Sequence, residues 1–390
     1  MKLILRDAQV LDGKGGRIDR TSLVVKGSEI AEITSSPSAS TDDTVVDCGG
    51  CTILPGLIDM HVHPGLPNIQ ATPGYFALMF QKNALRMLHA GFTSIRCLGS
   101  PYHVDLDAKR AAADGFITQP RIFAAGMGLC VTNGHLHRLN LGVEVDGVDA
   151  FRAAARGLIK RQVDWLKISA DALTSYSLAR VDEMKAAVEV FHGAGKRVAI
   201  HAGTVEGIKN SLEARADTIE HGFFLAEDPK LIRQMLDKGV YYVPTLYIHE
   251  RWDTTKDTRY GEAVLDYVRQ AQRIHPKSFR MALEAGVKIA MGSDEGGVPG
   301  SPIGEAAYEL ELMVKYGMKP MEAIVSATGT AAEALGVSDL IGSIREGMQA
   351  DLLIIDKDPS SDISVLSDKK NLRKIILAGN IVEDHSQSKE

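Results

Sequence analysis

Hydrophobic and polar residues follow two different patterns along this chain. Near both ends, short runs alternate in the way that is typical of half-buried β-strands, and glycine, aspartate and serine separate the runs. These runs are KLILRDAQVLDG, TSLVVKGSEIAEI and TVVDCGGCTIL near the start, and ADLLIIDKDP and NLRKIILAGNIVED near the end. We therefore predict that residues 1–55 and 345–390 pair into one small β-sandwich domain, and that the tail HSQSKE is disordered.

Between the ends, short β-branched runs alternate with helical patterns such as DAFRAAARGLIKRQ, LARVDEMKAAVEVFHGAG and TVEGIKNSLEARA. This alternation is typical of βα units around a parallel sheet. The strand-like runs are GLIDMHVH, GFTSIRCLG, PRIFAAG, VDWLKISA, RVAIHAG, DTIEHGF, VYYVPTLY and VKIAMGSD. They fit an α/β fold with a closed (β/α)₈ TIM barrel, for which ~250 residues is typical, and we place it at residues 56–344. An open doubly wound sheet is the alternative, but no G-x-G-x-x-G follows an early strand.

Composition and charge narrow the classes of partner. The chain has 390 residues, of which 45% are hydrophobic and 24% charged, with a formal net charge of −6. This balance favours a small-molecule substrate and gives no reason to expect nucleic acid or a membrane as partner. Arg6 and Asp7 interrupt the first apolar run too early for a signal peptide. We expect a cytoplasmic homo-oligomer, in which the C-x-x-C of Cys48 and Cys51 is structural or incidental.

Side chains able to bind a metal end five of the strand-like runs. Because the carboxyl ends of barrel strands converge on one face, we expect these side chains to meet there. His61 and His63 are two residues apart on one strand, so both imidazoles point the same way. The other candidates are Lys167, His201, His221 and Asp294. A lone strand histidine is more often a structural residue, but the complete set indicates a metal centre.

The same residues lie in segments that resemble the amidohydrolase superfamily almost from end to end. ILPGLIDMHVHPG resembles its first-strand signature, and GSIREGMQADLLIIDKDP resembles its return into the small β domain. AGFTSIRCLG, TNGHLH, IHAGTVEGIKNSLEARADTIEHG and VPTLY resemble the imidazolonepropionase-like and Xaa-Pro-dipeptidase-like branch. That branch ordinarily has Arg-Asp at Arg96-Cys97 and Gly-Gly-His at Asn133-Gly134-His135. These departures concern the substrate and lie outside the ligand set.

The resemblance implies two divalent metal ions per chain. His61, His63 and Asp294 would bind the more buried ion, and His201 and His221 the more exposed one. Lys167, carboxylated on its side-chain nitrogen, would bridge the two ions. Burial and nearby positive charge lower a lysine pKa, and a neutral amine can add CO₂ to become an anionic ligand. A salt-bridging lysine is the alternative. We predict zinc, because the ligand set combines imidazoles with carboxylate oxygens.

The implied activity is that of a metal-dependent amidohydrolase. It would cleave an amide or peptide C–N bond of an N-acyl amino acid, a dipeptide or a similar molecule with a metal-bridging hydroxide. Asp294 would accept and return the proton. His137 is our candidate for contacting the substrate carbonyl, and His135 is the close alternative. Tyr247 either binds substrate or packs at a strand end. Arg96 either pairs with a substrate carboxylate or forms an internal salt bridge.

Other functions within and outside the superfamily remain as alternatives. Deaminases generally lack the bridging lysine and carry a glutamate shortly after the fifth-strand histidine. Here Lys167 is present, and Ala-Gly-Thr follows His201, with Glu206 further along. A cyclic-amide hydrolase would share the metal centre. A non-catalytic scaffold would lack ligands, and none of the predicted ligands is missing from the sequence.

Overall fold

The computed structural model describes residues 1–65, 71–172, 178–255, 261–297 and 302–384. The predicted disorder of the tail HSQSKE falls on residues 385–390, outside these ranges. Contacts divide the chain into two compact units. One comprises Met1–Asp59, Leu85–Ser94 and Gly304–Glu390, and the other comprises Met60–Ala84 and Ile95–Ile303. The first unit contains both segments predicted to form the β domain, and the boundaries at residues 55 and 344 stay predictions.

Strands predominate near both ends, and strands alternate with helices between them. Along the described chain the strands are β1 Leu3–Leu11, β2 Arg17–Lys26, β3 Glu29–Thr34, β4 Thr44–Asp47, β5 Thr52–Pro55, β6 Leu57–Val62, β7 Phe92–Cys97, β8 Arg121–Ala124, β9 Gly128–Cys130, β10 Gly142–Glu144, β11 Trp165–Ser169, β12 Arg197–Ala202, β13 Thr218–His221, β14 Tyr241–Val243, β15 Leu352–Ile355, β16 Leu372–Leu377 and β17 Asn380–Asp384. The helices are α1 Pro73–Leu88, α2 Val104–Ala113, α3 His135–Arg138, α4 Val148–Lys160, α5 Val181–Gly193, α6 Val205–Glu213, α7 Pro229–Lys238, α8 Leu246–Arg251, α9 Glu262–Ala285, α10 Tyr308–Lys315, α11 Pro320–Ser326 and α12 Gly329–Leu335. The three helical patterns singled out in the sequence correspond to α4, α5 and α6, which confirms them.

In the first unit, both ends of the chain contribute to one sheet. Its strand order is β17-β16-β15-β5-β1-β2-β3, and β4 pairs with β1 beside this path. The sheet curls back on itself, because the amide of Ile30 in β3 donates to the carbonyl oxygen of Met348, just before β15, at 2.8 Å. Alternate side chains of these strands fill one apolar core: Leu5, Leu23, Ile53, Leu352 and Ile376. Strands from both ends of the chain therefore pair in one sheet.

Parallel strands follow the orders β6-β7-β8 and β10-β9-β11-β12-β13-β14, and all of them except the first residues of β6 and β7 lie in the second unit. Backbone hydrogen bonds connect these groups on both sides. Asp164 N donates to Ala124 O at 2.8 Å between β8 and β11. On the other side, the segment 287–295 runs between β14 and β6, where Ala290 N donates to Tyr242 O and Met60 N donates to Met291 O, both at 3.0 Å. The segments thus return to β6, as a closed barrel requires.

The run VKIAMGSD differs from its prediction as a regular strand. It makes isolated parallel bridges, Tyr242 with Ile289 and Val62 with Glu295, in place of a continuous ladder. The backbone of Asp294 has a φ of 57°, in the left-handed region, and this interrupts the extended conformation. The interruption lies where the predicted ligand Asp294 leaves the strand.

Local sequence explains where the helices begin and end, and α7 is a clear example. The carboxylate of Asp228 accepts a hydrogen bond from Lys230 N at 3.1 Å, Pro229 takes the first helical position, and Gly239 ends the helix with a φ of 66°. The buried face carries Leu231 and Met235, one helical turn apart. Among the described residues, we find no helix whose length and apolar character would let it span a membrane.

Candidate metal centre

One cavity in the second unit brings together all of the predicted metal ligands. Its walls are formed by His61, His63, His135, Leu136, Leu139, Leu141, Lys167, His201, His221, Asp294 and Gly297. The ligands come from the carboxyl ends of different strands, as the barrel predicts. His61 lies in β6, Lys167 in β11 and His201 in β12, whereas His221 ends β13. The structure therefore brings the six residues predicted as ligands together at one cavity.

Ligand atoms approach one another closely inside this cavity. Lys167 Nζ lies 3.3 Å from His61 Nε2. Asp294 Oδ1 lies 3.6 Å from His61 Nε2 and 3.3 Å from His63 Nε2. Among the described residues, His61, His221 and Asp294 form a group whose ligand atoms all lie within 4.8 Å of one another. Such convergence of imidazole nitrogens and a carboxylate is typical of a transition-metal site.

The far ring nitrogens of His61 and His63 are bound by the protein. His61 Nδ1 lies 2.9 Å from the Glu220 carboxylate, and His63 Nδ1 lies 3.1 Å from the carbonyl oxygen of Gly99. Because both of these oxygens accept hydrogen bonds, they favour the tautomer with the proton on Nδ1. The lone pair of Nε2 is then directed into the cavity in both rings, as a metal ligand requires.

His221 reaches the cavity through an unusual backbone turn. His201 points into the barrel and pairs with Glu220 in the parallel ladder. Because side chains alternate along a strand, Glu220 should also point inward and His221 should point outward. The φ of His221 is 71°, and Gly222 N donates to Glu220 O at 3.0 Å, which closes a three-residue turn around His221. The hydroxyl of Tyr242 donates to the carbonyl oxygen of His221 at 2.9 Å and supports this turn. Backbone strain of this kind, worth about 1–3 kcal/mol, is typical of functional sites.

A buried ion pair supports the ligands from behind. Arg96 is fully buried and its guanidinium lies 2.8 Å from the Glu220 carboxylate, the same group that contacts His61. Arg96 also donates to the carbonyl oxygen of Met60 at 2.5 Å and stacks over the ring of Trp165 at 4.4 Å. Of the two roles considered for Arg96, the structure confirms the internal salt bridge. Sequence reasoning missed Glu220, although a charged residue within a buried strand was a signal for it.

Burial sets the protonation of the site. It lowers the pKa of Lys167 to about 8, against the opposing effect of Glu220 and Asp294. Burial is also the main reason that the pKa values of His61 and His221 lie well below the ordinary histidine value. Both imidazoles are therefore neutral near pH 7, and only neutral imidazole can bind a metal.

The donor set fits a divalent metal. In the described part of the chain, Asp294 Oδ1 is buried and makes no hydrogen bond, which is uncommon for a carboxylate oxygen in a protein interior. It faces the Nε2 atoms of His61 and His63, whose other nitrogens are already bound. A divalent cation would satisfy these atoms together, and nitrogen and oxygen ligands of this kind suit zinc and its neighbours.

The two histidines proposed to contact substrate lie in different surroundings. His135 lines the cavity, and its ring stacks on that of His201 with a centroid distance of 4.6 Å. His137 is absent from the residues that line this cavity; its side chain is 56% exposed, and its Nδ1 lies 3.7 Å from the Glu144 carboxylate. The structure thus brings His135, rather than the favoured His137, to the ligands.

Tyr247 is buried away from the lining of this cavity. Its hydroxyl donates to the carbonyl oxygen of Pro302 at 3.1 Å, and the guanidinium of Arg251 lies 5.7 Å from its ring centre. These contacts correspond to the packing role that was the alternative for this residue. A substrate contact by Tyr247 stays a prediction.

Comparison with known proteins identifies the family. Residues 52–382 match the model of the amidohydrolase family, and the chain belongs to this family. The ochratoxinase of Aspergillus niger is 26% identical over 370 residues, covering 84% of this chain and 75% of that protein. The imidazolonepropionase of Thermoplasma volcanium is 22% identical over 417 residues, covering 95% of this chain and 92% of that protein.

Solved structures agree with this assignment. A Xaa-Pro dipeptidase with methionine bound in its active site has a TM-score of 0.89 and 32% identity, covering 98% of this chain and 100% of that one. A prolidase complexed with N-methylphosphonate-L-proline has a TM-score of 0.90 and 26% identity, covering 99% and 100%. These likenesses confirm the barrel fold and the predicted branch.

The activity follows from family and site together. The chain is a hydrolase that acts on C–N bonds and cleaves an amide or peptide bond. Amidohydrolases of this kind are generally metal-dependent, and His61, His221 and Asp294 form a group that can bind a metal ion. The alternative activities, deamination and cyclic-amide hydrolysis, are not better supported.

Proposed function

We propose that this chain uses two zinc ions to hydrolyse the amide bond of an N-acyl amino acid or a dipeptide. His61, His63 and Asp294 would bind one ion, His201 and His221 the other, and a carboxylated Lys167 would bridge them. The observation that carries this proposal is the position of Lys167 Nζ, buried and 3.3 Å from His61 Nε2. An ammonium group at this distance from a ligand atom would repel a bound cation, whereas a carbamate would be an anionic ligand.

The bound ions and Asp294 would have different roles in the reaction. The bound ions would supply Lewis acidity toward the scissile carbonyl and lower the pKa of the attacking water. Asp294 lies at the cavity wall with one unbonded oxygen, and it would take the proton from this water. The same carboxyl group would then deliver the proton to the leaving nitrogen.

His135 is the histidine that we assign to the substrate carbonyl. Its stacking on His201 puts an imidazole N–H donor beside a ligand of the more exposed ion, where negative charge would develop on the carbonyl oxygen. The exposed side chain of His137 has no comparable contact with the predicted ligands among the described residues. This assignment reverses the preference drawn from the sequence.

Leucines form an apolar wall of the same cavity. Leu136, Leu139 and Leu141 line it, and they pack in one buried cluster with Cys130. An apolar wall next to metal ligands favours a substrate with an apolar side chain near the scissile bond. Such a substrate agrees with the Xaa-Pro dipeptidase and prolidase among the similar structures.

A panel of substrates tests the proposed activity. We expect zinc-loaded enzyme to hydrolyse N-acyl amino acids or dipeptides with apolar side chains, since their amide bond would lie between His135 and Asp294. Release of the free amino acid, followed by chromatography, is the measurement. Cyclic amides and aminated heterocycles serve as comparison substrates. Release of ammonia from the heterocycles alone would contradict the proposal and favour a deaminase.

The position of Glu206 supports amide hydrolysis over deamination. A deaminase would need an acid near the fifth-strand histidine, and Glu206 is the nearest downstream glutamate. Glu206 lies in α6 with its side chain 53% exposed and its carboxylate 3.5 Å from Lys209. It is absent from the lining of the metal-site cavity. The surroundings of Glu206 therefore favour amide hydrolysis.

The two loop histidines give a paired test of carbonyl binding. His135→Ala should lower kcat by about 10²–10³-fold, the usual cost of one lost oxyanion donor. His137→Ala is the matched control and should stay close to wild type, because its ring is exposed. Steady-state kinetics with the best substrate of the panel would measure both variants. A large loss of kcat in His137→Ala and a small one in His135→Ala would assign the contact with the substrate carbonyl to His137.

A further inference from the structure

Asp171 is a buried carboxylate that directly follows the Lys167 strand and contacts a predicted metal ligand. Its Oδ1 lies 3.4 Å from His201 Nε2, and both side chains are almost entirely buried, at 1% and 4% exposure. Asp171 is absent from the lining of the metal-site cavity. The carboxylate therefore contacts a residue of the cavity wall without belonging to the wall itself.

Hydrogen bonds fix this carboxylate in place. Its Oδ2 accepts from the amides of Gly203 and Thr204, at 3.0 and 2.8 Å, and from the hydroxyl of Thr204 at 2.7 Å. These donors precede α6, whose N-terminal dipole further favours a negative charge. Gly207, in the first turn of α6, leaves space for this carboxylate, because a Cβ at that position would lie 1.9 Å from Asp171 Oδ2.

We propose that Asp171 is a positioning residue that orients His201, so that its Nε2–H faces Asp171 and its Nδ1 faces the metal. The proposal rests on the metal centre described under the proposed function. It makes His201 differ from His61 and His63, whose Nδ1 atoms are bound by the protein and whose Nε2 atoms face the cavity. A carboxylate behind a ligating imidazole sets its tautomer and raises its basicity.

Neighbouring rings complete the positioning of His201. The His135 ring stacks on one face at a centroid distance of 4.6 Å, and the His221 ring meets it edge-on at 4.4 Å. The two neighbouring rings restrict tilting of the His201 ring, and Asp171 at Nε2 restricts its rotation. A ring flipped by 180° would exchange Nε2 for a ring carbon, so that the buried carboxylate would lose its N–H partner, which is unfavourable.

A role limited to helix capping makes a different prediction. If Asp171 only accepted hydrogen bonds before α6, its removal would lower stability without changing metal binding. Thr204 shares these hydrogen bonds and also accepts from Gly207 N at 2.9 Å, but no contact with His201 is found for its side chain in the described residues. Thr204→Val removes the capping hydroxyl but keeps the backbone amides of Gly203 and Thr204 on Asp171, and it is therefore a matched control for loss of the cap.

Zinc affinity of the purified full chain separates the two roles. Metal-free wild type, Asp171→Asn and Thr204→Val would be titrated with zinc and bicarbonate against a chromophoric chelator. We expect Asp171→Asn to weaken one of two zinc sites by about 10–100-fold, the usual cost of losing such a partner. Thr204→Val should lower the melting temperature but keep both affinities. Unchanged affinities in Asp171→Asn would overturn the inference, while the binding of two ions by wild type would still support the metal centre.

A measurement on wild-type protein keeps the inference testable if Asp171→Asn does not fold. Histidine-selective ¹⁵N NMR of the metal-free chain would report the tautomer of His201, with its signals assigned from the His201→Gln variant. A proton on Nε2 supports the inference, and a proton on Nδ1 overturns it. Failure of wild type to bind zinc would overturn both this inference and the metal centre itself.

Discussion

Lys167→Ala is expected to lose bound metal and catalytic activity together. Lys167 Nζ lies 3.3 Å from His61 Nε2, so the side chain is positioned as a ligand of the same centre. Losing a bridging ligand should weaken metal binding by more than the ~100-fold that loss of an outer partner costs. Metal content by elemental analysis and kcat on the same preparations measure the effect. Wild type should contain two ions per chain.

Chemical rescue makes this test specific for a carbamate. Short-chain carboxylic acids should partly restore metal content and activity to Lys167→Ala, because a free carboxylate can occupy the place of the carbamate oxygens. Metal-free wild type should also reload faster with bicarbonate. Lys160→Ala, at the exposed end of α4, is the control and should behave like wild type. A Lys167→Ala protein with two ions and normal turnover would contradict the bridge and favour a deaminase.

Asp294→Asn is expected to retain the fold but lose most of its turnover. Asparagine tolerates the left-handed φ of 57° at this position, so the backbone should be unchanged. The substitution removes the carboxylate that we propose as acceptor of the water proton, so kcat should fall by about 10²–10⁴-fold, or further if metal is lost. Steady-state kinetics, metal content and a melting curve measure these effects.

The control for this substitution is Asp237→Asn. Asp237 lies on α7 with its side chain 62% exposed, where it pairs with Arg233. Exposed pairs contribute little to stability, so this variant should match wild type in both kcat and melting temperature. Activity of Asp294→Asn within a few fold of wild type, with both ions present, would exclude Asp294 as the general base.

Much of the fold and of the ligand set is readable from local sequence. The apolar runs around His61, Lys167 and His201 correspond to β6, β11 and β12, and each ends at the cavity. These predictions succeed because alternation of side chains is a local property of a strand, and because the parallel strands of a barrel all end on one face. Amphipathic helices such as α4 follow from their own periodicity in the same way.

Positions in loops were harder to predict from the sequence. His135 and His137 lie on one short helical turn, and nothing in TNGHLH distinguishes a ring stacked on His201 from one in solvent. The run VKIAMGSD has the composition of a strand, but the left-handed backbone of Asp294 interrupts its ladder. Loop conformation depends on contacts with the rest of the molecule, which periodicity does not encode.

The sequence by itself therefore determined the α/β class, the strands that carry His61, Lys167, His201 and His221, and the family. Only the tertiary structure decided which residues support those ligands. Glu220 contacts His61 across 159 positions of the chain, and Arg96 meets Glu220 across 124. The turn that directs His221 inward likewise depends on Tyr242, a residue of the next strand. Such partners are set by the register of neighbouring strands and by close packing inside the barrel, and neither leaves a periodic pattern in a single sequence.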